Sequence, residues 1–244
     1  MFKKLPAFLL LVCSTSFLLN AFANDAPPAD PYQTYNRHAF AMNQTLDKVV
    51  FIPAATIYKT ALPNYAQRRV NNFFGNINTV PVIANDILQL KVYQGTQDIW
   101  RLFFNTTFGL LGLYDVASKI GLPKHENDFG MTLANWGYEN TNYFLIPFLG
   151  PSTVRDTIGL IPDYEVFSVY PYLQNVALRN SLQGLYFIQQ RAQLLQLQDV
   201  MEQAAVDPYV FQRNAYLQRR EYLIEKNLGE PHGYAQNTDP YVDE

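Results

Sequence analysis

The stretch Ile99 to Asp115, IWRLFFNTTFGLLGLYD, decides what kind of fold the chain can have. From Ile99 to Phe108 it is apolar at Ile99, Trp100, Leu102, Phe103, Phe104 and Phe108, which leaves little polar face for water. A helix that is apolar nearly all round is either deeply buried or in contact with lipid. Gly109 and Gly112 follow, and glycine permits a bend or a close approach of backbones that other residues resist. The stretch therefore reads as a greasy helix closed by a glycine turn.

The surrounding composition sharpens that choice. The chain has 244 residues, 48% hydrophobic, 15% aromatic and only 16% charged, below the roughly 25% typical of soluble domains. Tyr and Trp suit boundaries where one end of a side chain is apolar and the other wet. Beyond residue 24 there is no uninterrupted apolar run of about 18 residues, so contact with a membrane would rely on amphipathic or short, broken elements. Clustered basic residues are lacking, which argues against nucleic acid as a partner.

Residues 1–23 have the form of an export signal: a basic MFKK start, an apolar run from Leu5 to Leu19, and Ala21-Phe22-Ala23 as an A-x-A cleavage site. Removing Lys3 and Lys4 takes the formal net charge from −3 to −5. The single cysteine, Cys13, lies inside this signal, so the mature chain has no disulfide and no cysteine-based metal site. Cys13 also offers lipoprotein processing as an alternative to cleavage after Ala23. Val12 stands where a lipobox wants Gly, Ala or Ser, which favours Ala23.

Elsewhere the pattern is helical and often interrupted. Asp30-Pro31 can cap and begin a helix through residues 32–50, and Tyr65 to Phe74 can begin another. Ile83 to Val92 is a short amphipathic candidate, and Gly121 to Asn142 reads as loop. In LIPFLGPSTVRD, Leu145 to Asp156, an apolar Pro-Gly-Pro turn precedes Thr153 and Asp156, spaced as a capping box. Ser181 to Ala205 suits a long helix rich in Gln and Leu. Asp207-Pro208 caps a last helix whose pairs Tyr209/Val210, Tyr216/Leu217 and Leu223/Ile224 share one face. Residues 227–244, with acids at 230, 239, 243 and 244, read as a disordered tail. The expected architecture is all-α: residues 24–226 as one ring or bundle of helices broken by Pro and Gly.

Candidate chemistry is sparse. Ser152 has the first glycine of a G-x-S-x-G elbow, Gly150, but not the second, and helix-start duty for Ser152 and Thr153 is the simpler reading. His125, Glu126 and Asp128 lack the i, i+4 histidine spacing of a zinc helix, so no metal is expected. Arg37 could hold a phosphate bidentately or serve a structural ion pair. No cofactor-binding loop occurs.

Taken in order, several segments resemble the MlaA/VacJ family of bacterial outer-membrane proteins: Asp30-Pro31, Tyr35-Asn36-Arg37, NFFGN at 72–76, RLFFNTTFGLLGLYD at 101–115, LIPFLGPSTVRD, RAQLL at 191–195, Asp207-Pro208-Tyr209, and RNAYLQRR at 213–220. The resemblance covers roughly residues 30–226. It implies a helical ring embedded in the inner leaflet of the outer membrane, giving misplaced phospholipids a central passage to a periplasmic carrier, with trimeric porins as neighbours and no enzymatic step. On that reading Asn36, Arg37, Phe103, Gly109, Gly112, Pro147, Gly150 and Arg155 are candidates for lining or shaping the passage, LIPFLGP is a membrane-facing turn, and Gly109 and Gly112 shape or hinge a helical hairpin. Family members are typically lipoproteins, and Val12 before Cys13 departs from that pattern.

Overall fold

The computed structural model describes residues 30–138 and 141–229. The export signal, Cys13 and the acidic tail from Glu230 lie outside the described residues. Helix α1 (Gln33–Leu46) continues through a π turn, Asp47–Phe51, into α2 (Ile52–Ala61), where Pro53 occupies the first turn. The helix thus runs on past a residue that lacks a backbone N–H, directly after the π turn. Next come α3 (Asn64–Leu88), α4 (Val92–Thr107), the one-turn α5 (Val116–Lys119) and α6 (Phe129–Asn135). A two-stranded antiparallel ribbon follows, β1 (Tyr143–Ile146) and β2 (Gly150–Thr153), with Tyr143 opposite Thr153. The chain ends with α7 (Val154–Pro162), a π turn and a 3-10 turn, then α8 (Val176–Ala204) and α9 (Pro208–Gly229).

Several boundaries follow the local chemistry. The Thr153 side chain accepts from the Asp156 N–H and starts α7. Asp207 accepts from the N–H groups of Tyr209 and Val210 and starts α9. Asp30 behaves differently from a cap. Its carboxylate takes the Asn36 amide at 2.7 Å and the Tyr209 hydroxyl, tying the first helix to the last. The expected helices at Tyr65 and Ile83 are one helix, α3, which runs through Pro81 despite the lost backbone bond. Within the expected 121–142 loop, Asp128 accepts from Met131 N–H and caps α6.

The ribbon was not foreseen, and its support is remote in sequence. Asn36 donates to the Tyr143 carbonyl and accepts from Leu145 N–H. Asn43 does the same with the Ile146 carbonyl and Phe148 N–H. Seven residues of helix span about 10.5 Å, and three residues of strand span about 10 Å. Two asparagines two turns apart thus grip the edge of β1 as a neighbouring strand would. Below them Ala39, Tyr143, Leu145 and Tyr209 form a small core, with Tyr216 and Leu217 of the shared α9 face against it.

A second small core, Ala55, Tyr58 and Ala192, joins α2 to α8. α3 meets α8, α8 meets α9, α9 meets α6, and α6 returns to α3. This closed circuit of four helices surrounds a cavity. None of the described helices is long and apolar enough to cross a membrane.

Candidate functional site: a polar passage inside an apolar shell

The inner wall is built from two rows of amides. On α3, Asn71, Gly75 and Asn78 recur at helical spacing and so share a face. On α8, Tyr186, Gln189, Gln190 and Gln193 do the same. The rows meet directly: Gln189 and Gln193 both donate to Asn71 Oδ1, at 3.0 and 2.8 Å, and Asn78 donates to the Tyr186 hydroxyl at 3.2 Å. Asn71, Gly75, Asn78, Tyr186, Gln189 and Gln190 border an open cavity of about 440 Å³ whose other walls include Phe74, Met131, the 124–128 loop and Leu223 of α9. Asn71 and Gln189 also border a second cavity of about 230 Å³ beside Tyr58 and Arg68. Gln190 borders a third, again about 440 Å³, whose walls include Phe40, Phe51, Phe148, Leu149 and Phe187. The first of these cavities shares Gln190 with the third, an apolar chamber, and Asn71 and Gln189 with the second.

Charge fixes the frame around this path. Arg220 of α9 holds Asp128 bidentately at 2.5 and 2.6 Å and reaches Asp156 at 2.8 Å. Tyr216 donates to the other Asp156 oxygen at 2.9 Å. Burial alone would raise the Asp156 pKa, but the Arg220 and Arg155 charges and the hydrogen bonds from Tyr216 and Thr153 hold it below the ordinary value. α6 and α7 approach closely enough for this cluster only because Gly130 and Gly159 face each other. A Cβ on Gly130 would strike the Asp156 carboxylate and the Arg220 guanidinium.

Further along α3 and α4 lies a buried polar network. Asn127 donates to Asp86, Gln89 donates to Asn127 and Thr132, and Thr132 donates to Asn85. His125 Nδ1 lies 2.7 Å from Asp98. Burial pushes Asp86 up to about 7, against a smaller opposing pull from the Asn127 hydrogen bond. Burial likewise pushes Asp163 up to about 6.

The shell is the reverse of a water-soluble one. The buried residues of α4 are Gln94, Gly95, Asp98, Arg101 and Asn105, whereas Val92, Ile99, Trp100, Phe103 and Phe108 are exposed. The helix is thus not apolar all round. Its polar stripe begins at Gln94, ahead of the greasy window that dominates the sequence. α7 repeats the inversion, with Arg155 and Asp156 buried and Ile158, Leu160 and Ile161 exposed. Among the residues whose side chains are described, buried polar and charged residues outnumber buried hydrophobic ones. In water this arrangement wastes apolar area worth about 25 cal/mol per Å²; in hydrocarbon it is the expected one.

Known proteins share the sequence pattern and the fold. The family model described as MlaA lipoprotein matches residues 28–223. The chain belongs to the MlaA lipoprotein family. An uncharacterised protein of Rickettsia prowazekii (strain Madrid E) is 35% identical over 197 residues, 80% of this chain and 78% of its own length. The intermembrane phospholipid transport system lipoprotein MlaA of Escherichia coli (strain K12) is 34% identical over 202 residues, with the same coverage of each chain. A solved structure on the structural basis for maintenance of bacterial outer membrane lipid asymmetry aligns with a TM-score of 0.70 at 30% identity, covering 80% of this chain and 99% of its own.

Within this MlaA-family fold the residues singled out from sequence fall in different places. Gly150, at φ +102°, borders the apolar chamber, and it alone of the eight touches these three cavities. Pro147 is half-buried in the ribbon turn. Asn36 brackets the ribbon, and Arg155 is buried beside Asp156. Arg37 pairs with Asp207 at 2.8 Å and lies over the Tyr209 ring. Phe103 stands on the outer shell among Trp100, Phe104 and Phe108. Gly109 and Gly112 end α4 in a tight loop. A Cβ on Gly109 would meet the Asn105 and Tyr114 carbonyl oxygens, and one on Gly112, at φ +91°, would meet Asn76.

That loop has a feature the sequence does not reveal. Leu110 and Leu111 both adopt left-handed backbone, at φ 52° and 57°, and both side chains are exposed. Phe148 at the ribbon tip (φ 68°) and Leu90 between α3 and α4 (φ 60°) repeat it. These are the described non-glycine residues with positive φ, and each is a bulky apolar side chain facing outward. Such backbone costs an L-residue roughly 1 kcal/mol.

The remaining polar candidates have partners. The Ser152 hydroxyl donates to the Thr153 carbonyl and accepts from Thr157. His125 contacts Asp98, Glu126 pairs with Arg219, and Asp128 pairs with Arg220.

Proposed function

We propose that this chain is the outer-membrane component of an intermembrane phospholipid transport system. It gives phospholipids misplaced in the outer leaflet a passage toward a periplasmic carrier and so maintains lipid asymmetry. The observation that carries this reading is the inversion of α4 and α7 around a closed circuit of helices with an amide-lined interior. The outward aromatic and aliphatic faces suit acyl chains, and the interior suits a hydrated headgroup. The relatives named as phospholipid transport lipoproteins support the same reading.

The finer parts of the reading are these. The exposed tips at Leu110, Leu111 and Phe148 enter the hydrocarbon, and the Gly109–Gly112 loop gives its tip a fixed shape. Trimeric porins are the neighbours in the membrane. The residues 1–23 direct export, with attachment by an acylated Cys13 or, after cleavage at Ala23, by the apolar shell alone. Mass spectrometry of the mature N-terminus separates those two outcomes. No bond is made or broken during passage.

The test is phospholipid exposed on the cell surface of a strain lacking the gene, complemented by the natural chain or by Ser152→Ala. Loss should raise surface phospholipid, and both versions should restore the barrier. Unchanged surface lipid on loss would overturn the reading, and a folded Ser152→Ala chain that fails to rescue would replace passage with hydrolysis.

A further inference from the structure

Two buried carboxylates meet where α3 and α4 pack together. Asp86 of α3 and Asp98 of α4 are 2% and 1% exposed, and their side chains come within hydrogen-bonding reach. Gly95 permits the approach, since a Cβ there would lie 3.3 Å from Asp86 Cβ. The orientation of Asn127 decides which Asp86 oxygen is served. Its Oδ1 accepts from Asp128 N–H at 3.0 Å and from Gln89, so its nitrogen is the atom that donates to Asp86 Oδ1 at 2.8 Å. Asp86 Oδ2 is buried and receives no hydrogen bond from a described N–H or O–H group. Two carboxylates this close, and out of water, do not both stay ionised.

The other charges around the pair are accounted for. His125 Nδ1 lies 2.7 Å from Asp98 Oδ2 and belongs to the cluster. At the turn between the helices Lys91 donates to the Asn227 carbonyl, and on α4 Arg101 reaches Asp115 and the Leu122 carbonyl. Glu126 pairs with Arg219, Asp128 is held by Arg220, and Asp163 accepts from Asn85 and Phe129 N–H. Lys124 is exposed beside Gly75. Two side chains of the 124–128 loop thus end on this pair, His125 on Asp98 and Asn127 on Asp86, and the same loop is a wall of the amide-lined cavity.

We infer that Asp86 and Asp98 share one proton and act as a proton-operated fastener for the 124–128 wall of the cavity. With the proton in place, Asp86 Oδ2–H donates to Asp98, Asp98 keeps His125, and Asn127 stays on Asp86. Loss of the proton to solvent leaves two anions side by side, and the readiest relief is for the loop to lift and admit water. Burial holds the Asp86 proton up to about 7, against about 4 for a carboxyl that meets water. Opening therefore releases a proton, becomes easier as pH rises from about 4 to about 7, and changes no further above that. The fastener concerns the chain's own wall and stands whether or not lipid is the cargo; on the lipid-passage reading it loosens one side of the passage.

Hydrogen exchange of the full chain in nonionic detergent, corrected for the intrinsic rate at each pH, tests it. Protection across residues 122–129 should fall by up to about tenfold per pH unit from about pH 5 toward 7 and then level off, as for one released proton. Asp86→Asn copies the protonated carboxyl without titrating, so it should keep the loop protected and remove most of the slope. His125→Gln should leave most of the slope in place. Infrared spectra read the proton itself: a protonated-carboxyl band at about pH 6.5 should fade by about pH 8.5 and be much reduced in Asp86→Asn. An unchanged slope in Asp86→Asn, or a slope lost in His125→Gln with the band intact, would overturn the fastener. If Asp86→Asn fails to fold, the natural chain decides alone, because its band and its loop protection must change over the same pH window.

Discussion

The cluster around Arg220 and the tips at Leu110, Leu111 and Phe148 are organised on opposite terms. At Arg220 two carboxylates, a tyrosine and two facing glycines leave little freedom, and the solvent outside hardly matters. At the tips, bulky apolar side chains stand away from the protein on strained backbone, so the medium outside decides their energy. One region holds the chain together and is indifferent to lipid. The other has its side chains exposed and, on the proposed function, gains its stability from lipid. A protein divided this way can be dissected by changing one region and watching the property that belongs to the other.

The largest effect should come from Arg220→Leu. It takes the guanidinium away from the buried Asp156 as well as from the part-exposed Asp128, and breaking a buried pair typically costs about 3–5 kcal/mol. Thermal unfolding in detergent should fall steeply; an unchanged Tm would mean that the cluster is not a support. Next is the double substitution Leu110→Ser with Leu111→Ser. Each leucine is worth about 1.5–3 kcal/mol of apolar transfer, so partition onto phospholipid vesicles should weaken by about a hundredfold or more while Tm in detergent barely moves. A loss of Tm with intact vesicle binding would reverse the two roles.

A smaller effect concerns pH. Asp86 is raised to about 7 in the folded chain, chiefly by burial, so the folded state keeps a proton that the unfolded chain has released. Stability should therefore decline as pH rises from about 4 to about 7 and level off above, since stability falls with pH wherever the folded state binds more protons. Asp163, raised to about 6, adds to the lower part of that slope. Unfolding curves of Asp86→Asn between pH 5 and 8 should be flatter; an identical slope would place the proton elsewhere. The smallest effect is Thr153→Ala, where loss of the α7 cap should cost about 1 kcal/mol. A thermal shift several times that size would show Thr153 supporting more than a helix end.

Much of the frame could be read from residues alone. Thr153 with Asp156 and Asp207 with Pro208 carry their caps in adjacent positions, and the Tyr209/Val210 and Tyr216/Leu217 pairs share a face by spacing. The ribbon could not be read that way. Gly-Pro-Ser-Thr has poor strand chemistry, and what makes it a strand partner is β1, itself gripped by Asn36 and Asn43 more than a hundred positions earlier. α4 misled for a different reason: its greasy window from Ile99 hides a polar stripe whose first members, Gln94 and Asp98, precede it. The amide rows were visible as an excess of glutamine in 181–205, yet the facing row on α3 is needed before that excess becomes a wall. For the positive-φ leucines no local signal exists, because leucine is not a residue that asks for such a turn.

A wall of carboxamides has a kinetic consequence. The two rows together offer amide donors and acceptors on both sides, so on the proposed function a polar group moving between Asn71 and Asn78 can exchange one partner for another. The profile along such a surface is shallow and finely corrugated, closer to sliding friction than to a sequence of bound states. Motion through the ring would then be set less by any one barrier than by the supply of lipid at one end and its removal at the other.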